Sequence, residues 1–534
     1  MDILLSITRS EIFTYTAIGY LLAAVIGLKL ARLSYNYARA LLSPLRHLNH
    51  PKNGSILFGN MKQVFAAPGA TLHEDWISRH GSTFAYRAFL SKWRLFTIDP
   101  RALTFIMAQA YSFPKPENFR RNLANLLGDG ILFAEFDAHK RQRRIMNPAF
   151  GPPQVRELVP IFWEKSNKLK DIWLSLVKSG PENTTVIDVL PWLSRATLDI
   201  IGAAGFDYHF NALDGEENEL AEAFGKIFEA GPELSVLVLL KTFFPVLKII
   251  PDQRSRMLDH NMTNMRRIGT KIVEEKKAAL AQELKTGTTA QSRDLLTLLI
   301  KANMAAESED QRMSDEEVLG QISTFLTAGH ETTSTSTTWA LYALSKHPEV
   351  QHKLRKELLE SNLGDEPSMA DLDKLPYLND VIREVLRLHA PVSGTVREAD
   401  HDIQIPVSKR FKDRYGVERD HIELQKGDSV FIPILAMNRN RDIWGDDAAD
   451  FRPERWENPA EAVKGMPGVW GHLMTFSVIE MKALLYSLIR AIEFGIDPNI
   501  EIEGKTGIVT RPRVVSEPEK GNQMPLICKP VHSV

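Results

Sequence analysis

The stretch that decides the fold is Ala328-Gly329-His330-Glu331-Thr332-Thr333, which lies inside a long segment of helical periodicity. Ser314 and Glu317 precede it as an S-x-x-E pattern, and this capping box predicts that the helix begins there. Residues 334–338 are all Ser or Thr. Because such hydroxyl side chains compete for backbone carbonyls, we expect the helix to be locally distorted at this point.

The residue types of this stretch favour a functional site. Gly329 has no side chain, which lets a large, flat group lie against the helix. Glu331 and Thr332 supply an acid and an alcohol, a pair suited to passing protons. A solvated Thr-rich helix is the alternative interpretation.

Two patterns farther along the chain join acids to guanidinium groups. Glu384 and Arg387 lie three residues apart on one face of a predicted helix, a spacing that is also common on helix surfaces. Arg455 follows in the segment 451–456, Phe-Arg-Pro-Glu-Arg-Trp. Since guanidinium groups pair carboxylates bidentately, Arg455 is placed to close a network with Glu384 and Arg387.

Further basic residues flank these patterns. Arg397 follows Arg387 in the segment 391–397, Pro-Val-Ser-Gly-Thr-Val-Arg. His139 and Arg143 bound a basic cluster on a short predicted helix. A solvated basic face is the alternative interpretation of that cluster.

In this order and at these separations, the elements resemble the cytochrome P450 family of haem-thiolate monooxygenases, in the style of its membrane-bound, microsomal branch. The resemblance covers nearly the whole chain and implies a mainly α fold with small β-sheets. It assigns the catalytic positions to Glu331 and Thr332 and a structural triad to Glu384, Arg387 and Arg455. The residues that it assigns to haem binding are Ala328, Gly329, His139, Arg143 and Arg397, with His139 at a position where the family has Trp.

One departure from the family pattern concerns the iron ligand. The family's loop reads F-x-x-G-x-R-x-C-x-G, and its Cys thiolate binds the haem iron. Here Phe476 fits the opening Phe, but Phe476 and Ser477 run directly into Val478, the start of what resembles the helix that follows the loop. About a dozen residues, the axial Cys among them, are therefore absent by comparison with that loop. Because the flanks match, the departure is typical of an in-frame deletion.

No other residue is an obvious replacement for that Cys. Cys528, the one cysteine, lies in an apolar, strand-like tail without the Gly or Arg context that stabilises a thiolate, so we expect it to be buried and inert. His472 and Met474 lie near the gap and are candidate cofactor contacts. An iron bound by His lacks the thiolate push that favours O–O cleavage. We therefore predict no protein ligand for the iron in this chain.

The amino-terminal region predicts a membrane anchor. Residues 12–28 carry no charge, a length near the lower limit for crossing a bilayer. Basic residues follow this run, so the positive-inside rule predicts a lumenal segment 1–11, a transmembrane helix 12–28 and a cytosolic body. A cleaved signal peptide is the alternative. Residues 29–59 are then a basic, Pro/Gly-rich hinge, and residues 60–534 are a single catalytic domain.

The amino-acid composition limits the classes of binding partner and the cellular compartment that we expect. The chain has 65 Lys and Arg against 67 Asp and Glu, which argues against nucleic acid as a partner. A single Cys excludes a disulfide framework and any multi-Cys metal site, and it is typical of a reducing compartment. An apolar patch at 234–250 is either a core helix or a loop that dips into the membrane.

The resemblance implies a function but leaves alternatives open. It implies oxidation of an apolar small molecule in xenobiotic or secondary metabolism at the endoplasmic reticulum membrane, with haem as cofactor and electrons from NADPH through a flavoprotein reductase. The first hypothesis is such an enzyme whose sequence lacks a short exon. The second is a non-catalytic, membrane-bound binding protein, and the third is a haem protein with a non-thiolate ligand.

Overall fold

A computed structural model describes residues 2–216, 235–243, 247, 252–286, 294–306, 308–459, 461–464 and 475–531 of the 534-residue chain. Helices dominate this part of the chain, with four small sheets beside them. The predicted fold class, mainly α with small β-sheets, is confirmed.

The α-helices of the described residues range from 4 to 41 residues in length. They are α1 (Asp2–Leu42), α2 (Met61–Ala66), α3 (Thr71–His80), α4 (Pro100–Ala108), α5 (Glu117–Leu127), α6 (Phe136–Met146), α7 (Pro152–Ser179), α8 (Val189–Phe206), α9 (Val236–Phe243), α10 (Gln253–Thr286), α11 (Leu295–Met304), α12 (Asp315–Lys346), α13 (Pro348–Glu360), α14 (Met369–Asp373), α15 (Pro376–Leu388), α16 (Ile434–Asn438), α17 (Arg441–Trp444), α18 (Glu461–Lys464) and α19 (Thr475–Ala491).

The strands form one mixed sheet and three antiparallel groups. They are β1 (Thr83–Arg87), β2 (Trp93–Thr97), β3 (Thr185–Asp188), β4 (Thr395–Glu398), β5 (Ile403–Lys412), β6 (Glu418–Leu424), β7 (Ser429–Ile432), β8 (Ile492–Gly495), β9 (Ile502–Lys505), β10 (Arg511–Val514) and β11 (Pro525–Pro530). The sheet orders are β1-β2-β7-β4, β3-β11-β8, β5-β6 and β9-β10, and only the β2–β7 pairing is parallel among the described strands.

Two hydrophobic clusters of described residues make up the core. The larger lies among the helices, where α12 packs on α8 and α19 packs on α7. The smaller lies between the β1-β2-β7-β4 sheet, α4 and the β5–β6 hairpin. The candidate catalytic helix α12 is therefore in the middle of the helical cluster.

The start of α12 follows the sequence prediction. The Ser314 Oγ accepts a hydrogen bond from the Glu317 amide at 3.2 Å, and the Glu317 carboxylate accepts one from the Ser314 amide at 2.8 Å. This reciprocal pair satisfies amides that a helix end otherwise leaves without partners. The predicted capping box is confirmed.

Helix α1 contains the predicted membrane segment. It is one continuous helix whose side chains are exposed at Tyr20, Leu21, Val25, Ile26, Leu28 and Leu30. Within the described residues, no helix has both the length and the apolar character needed to cross a membrane. The structure therefore gives no support to the transmembrane prediction for residues 12–28.

The apolar patch at 234–250 is described only in part. Its described residues include α9, which exposes Val236, Leu237 and Leu240. Lys241 of α9 is buried and pairs with Asp252. Residues 234, 244–246 and 248–250 of the patch lie outside the described residues.

Candidate functional site

Most hydroxyl side chains in the hydroxyl-rich part of α12 donate hydrogen bonds to carbonyls of the same helix. Thr332 Oγ1 donates to the Ala328 carbonyl at 2.5 Å, and Ser336, Thr337 and Thr338 donate in the same way to the carbonyls four residues earlier. The helix runs without a break from Asp315 to Lys346. The expected distortion is therefore not seen as an interruption, because each of these hydroxyls shares a carbonyl that the helix already uses.

Gly329 lies where α12 packs against α8. A β-carbon at this position would lie 3.0 Å from Cδ1 of Ile201, a buried side chain on α8. That separation is tighter than most carbon–carbon contacts in proteins, so a side chain here would require Ile201 to shift by a few tenths of an ångström. Gly329 thus permits α8 and α12 to pack closely, and its place beside a haem stays a prediction.

Glu331 and Thr332, the predicted acid–alcohol pair, bond to different partners. Both carboxylate oxygens of Glu331 accept hydrogen bonds from Arg511 on β10, one of them at 3.1 Å from the guanidinium Nε. Glu331 is only 2% exposed, so the charge pair is almost completely removed from water. Adjacent residues of a helix point in different directions, which explains why the acid and the alcohol do not meet.

His330 links the same turn of α12 to α8. Its Nε2 lies 2.6 Å from Ser194 Oγ, and its backbone carbonyl accepts a hydrogen bond from Thr197 Oγ1 at 3.1 Å. Burial lowers the pKa of His330 below its ordinary value, although the nearby Glu331 opposes this, so the ring is neutral at neutral pH. His330 is a helix–helix contact that the sequence interpretation left without a role.

The Glu384 network is the most completely satisfied polar group of the described site. Arg387 donates to both oxygens of the Glu384 carboxylate at 2.8 Å, and Arg455 donates to one of them at 2.9 Å. The Trp456 indole and the Arg452 amide complete five hydrogen bonds to this carboxylate. Arg387 also donates to the carbonyls of residues 438, 448 and 450. The three predicted triad residues thus meet in one buried network that ties α15 to the segment 438–456.

A second cluster contains the predicted haem-binding cations. Burial is the main cause of a lowered His139 pKa, and the charges of Lys115, Arg143 and Arg397 lower it further, while Glu135 raises it. Glu135 pairs with Lys115 at 2.9 Å. Three cations around one carboxylate leave an excess of positive charge beside β4, where Arg397 lies half-buried.

This cluster fits the acidic edge of a haem. The propionate groups of a haem are two carboxylates, which cations with few acidic partners bind well. The Arg397 guanidinium is anchored to the Thr395 hydroxyl and the Val396 carbonyl, both at 3.0 Å, so it is held in place. Sequence reasoning missed Lys115, whose only signal was a Lys between two prolines, Pro114 and Pro116.

The described residues do not fit the axial side of a haem-thiolate centre. Cys528 lies on β11 between β3 and β8, and its side chain is completely buried. Burial raises the pKa of this thiol to about 12, so it is protonated at neutral pH and cannot act as a thiolate. No cluster of metal-binding side chains occurs among the described residues, and the candidate contact His472, like Met474, lies outside them.

Helix α19 occupies the position directly after the missing loop. Phe476 near its start is buried and packs edge-on against Phe162 of α7, with ring centres 4.9 Å apart. One turn later, Glu480 is completely buried beside Thr333 of α12 and has no partner in good hydrogen-bond geometry among the described residues. Burial raises the pKa of Glu480 well above its ordinary value, so this carboxyl is neutral in the folded chain.

Replacing Glu480 with Gln is expected to stabilise the chain, and the gain should grow with pH. Unfolding releases the Glu480 proton once the pH exceeds the unfolded pKa of 4.5, so wild-type stability falls as pH rises through the window above that value. Gln keeps the size of the side chain and does not titrate. Urea unfolding from pH 5 to pH 8 measures the difference, and a gain that is constant across this range would contradict the buried, neutral carboxyl.

Comparison with known proteins adds the family context. A family model described as Cytochrome P450 matches residues 50–498. The chain is 47% identical to cytochrome P450 monooxygenase 205 of Postia placenta, over 92% of this chain and 94% of that protein. It is 46% identical to monooxygenase 128 of the same organism, over 94% of this chain and 96% of the relative. Cytochrome P450 monooxygenase claP of Ampulloclitocybe clavipes is 35% identical over 97% of both chains.

Proposed function

Because the chain belongs to the cytochrome P450 family, we propose that its gene encodes a haem-dependent monooxygenase for an apolar small molecule, and that this form of the chain lacks the loop that supplies the thiolate. A haem held by a thiolate supplies the iron at which oxygen is activated. Lys115, Arg143 and Arg397 would hold its carboxylates, together with His139. This form of the chain lacks the axial Cys and therefore has no thiolate to bind the iron.

The observation that carries the proposal is that the buried Glu384 network and helix α19 are both intact, although the loop with the axial Cys is missing. The buried Glu384 network is closed on all sides, and Phe476 continues without interruption into α19. The alignments to the relatives are also longer than the part of this chain that they cover: 512 aligned positions against 92% of 534 residues for the first. The chain therefore lacks residues that this relative has, as expected for an enzyme scaffold from which a segment was removed.

The proposed electron source, membrane location and substrate class follow from what is general for the family. Electrons would come from NADPH through a flavoprotein reductase. The uncharged run 12–28 and the exposed apolar side chains of α1 favour insertion into the endoplasmic reticulum membrane, with the body in the cytosol. Substrate would be an apolar molecule.

A second candidate function is a non-catalytic relative with a degenerate haem pocket. The observation that favours it is the buried, protonated Cys528, because the only thiol of the chain is unavailable to iron. The two candidates differ in the messenger RNA across the codons for Phe476 and Ser477. A transcript with a Gly-, Arg- and Cys-containing insert supports the enzyme, and an uninterrupted junction in every mature transcript supports the non-catalytic relative.

Restoring the loop is expected to restore a haem-thiolate centre. The rest of the family pattern, x-x-G-x-R-x-C-x-G, is inserted after Phe476, which supplies the opening Phe, and the carbon monoxide difference spectrum of the reduced protein is recorded. We expect the long-wavelength Soret band of thiolate ligation in the restored chain and its absence in the original chain, because only the inserted Cys can reach the iron.

Two matched substitutions control this experiment. Cys→Ser in the inserted loop should abolish the band, whereas Cys528→Ser should leave it unchanged. A thiolate band in the original chain that disappears with Cys528→Ser would contradict both the proposal and the buried position of Cys528.

Deleting residues 1–40 is expected to move the protein from the membrane pellet to the supernatant. The run 12–28 is the candidate span, because it is the longest uncharged run of the chain. Fractionation before and after a high-salt wash measures the change. If the truncated chain stays in the pellet after the wash, the apolar patch at 234–250 or another surface is the main membrane anchor.

A further inference from the structure

The β9–β10 hairpin is attached to α12 at two points. The first is the pair between Arg511 and Glu331, in which the guanidinium bonds both carboxylate oxygens. The second is the Trp339 indole, which donates to the Thr510 carbonyl at 2.9 Å two turns farther along α12. The Thr510 amide also donates to the Pro391 carbonyl at 2.8 Å, so the start of β10 is held from two sides.

The two attachments differ in what their loss would leave behind. The Trp339 bond joins neutral groups, whereas Glu331 is a carboxylate that is 2% exposed and bonds bidentately to a cation. Without Arg511, the Glu331 charge would be buried and without its guanidinium, which is strongly unfavourable. The Arg511–Glu331 pair is therefore the stronger of the two attachments.

We infer that Arg511 is a positioning residue that fixes the β9–β10 hairpin against α12 and occupies both oxygens of the Glu331 carboxylate. Thr332 bonds its own helix at the Ala328 carbonyl instead. The Glu331 carboxylate can exchange a proton with another group only after β10 moves and the guanidinium releases it. The position of the hairpin thus determines when the acid beside Thr332 is available.

The chain offers a matched control for this inference. Arg513 and Glu503 form a similar guanidinium–carboxylate pair, with Nε and Oε1 3.0 Å apart, in the same hairpin. This pair joins β10 to β9, and both side chains are more exposed than the Glu331 carboxylate. It therefore has the same chemistry in the same strands and differs in the helix contact.

The test uses the full chain without haem, so its result is separate from that of the proposed function. Arg511→Met is expected to raise the unfolding equilibrium constant about a hundredfold or more, since it leaves a buried charge unpaired. Adding Glu331→Gln to it should recover most of this loss. Arg511→Lys should fall between wild type and Arg511→Met, because Lys keeps the charge but not the bidentate geometry.

Hydrogen exchange distinguishes positioning from a general effect on stability. Peptides covering 502–514 should exchange faster in the double variant Arg511→Met/Glu331→Gln, while peptides of α12 exchange as in wild type. In Arg513→Met, peptides covering 502–514 should exchange at a rate close to that of wild type, because the contact of the hairpin with α12 is retained. If Arg511→Met alone does not fold, the double variant still provides the readout. Unchanged hairpin exchange in the double variant, or an equal change in Arg513→Met, would overturn the inference.

Discussion

Replacing Glu384 with Ala is expected to cost ~3–5 kcal/mol of folding free energy, because it leaves two buried guanidinium groups without their carboxylate. Glu384 and Arg387 are both completely buried, and Arg455 is nearly so. Typical domains have a total stability of ~5–15 kcal/mol, so this single change removes a large part of it. Urea unfolding of the haem-free chain, followed by circular dichroism, measures the shift.

An exposed pair with the same spacing is the control. Asp371 and Lys374 also place an acid three residues before a cation, with Oδ1 and Nζ 3.0 Å apart, but the Lys374 side chain is 74% exposed. Lys374→Ala should change stability by less than ~1 kcal/mol, because solvent screens surface pairs. Equal unfolding midpoints for Glu384→Ala and Lys374→Ala would show that the Glu384 network does not hold α15 to the segment 438–456.

Local patterns predicted the parts of the site that depend on near neighbours. The start of α12 follows from Ser314 and Glu317, which are three residues apart and bond each other in the folded chain. The Glu384–Arg387 spacing works in the same way, because one helix face brings them together. Arg455 required the resemblance to a known family, since periodicity does not place a residue from a separate segment against α15.

Contacts between distant segments were beyond sequence reasoning. Arg511 lies 180 residues from Glu331 in the chain, and no local pattern links a strand near the carboxyl terminus to the middle of α12. Gly329 also makes a contact that no local pattern predicts, because only the structure shows that Ile201 lies against it. The excess of cations around His139 was recognised in part, because Lys115 comes from a separate segment.

Acid is expected to destabilise the chain in the window from pH 6.5 down to pH 4 through His73. This ring is buried, stacks on Phe96 and lies against Phe431, with ring centres 5.2 Å apart in both cases, and its Nε2 has no hydrogen-bond partner among the described residues. Burial lowers the pKa of His73 from 6.5 to about 4. The unfolded chain therefore binds a proton that the folded chain rejects, so stability is full above pH 6.5 and falls by ~3 kcal/mol as the pH drops through the folded pKa.

A comparison of two His variants isolates this contribution. His73→Leu removes the titrating group from an apolar site, so its stability relative to wild type should rise between pH 6.5 and pH 4. The contribution of His421 to stability depends on pH in the opposite direction, because the hydrogen bond to Asp420 raises the pKa of this His. His421→Leu should therefore lose stability relative to wild type at the acid end of the same range.

Parallel pH profiles for wild type and His73→Leu would mean that His73 can take up a proton without leaving its aromatic surroundings. In that case, acid would destabilise the fold through other groups, such as His389, which stacks on Trp339 and has a pKa lowered to about 3 by burial.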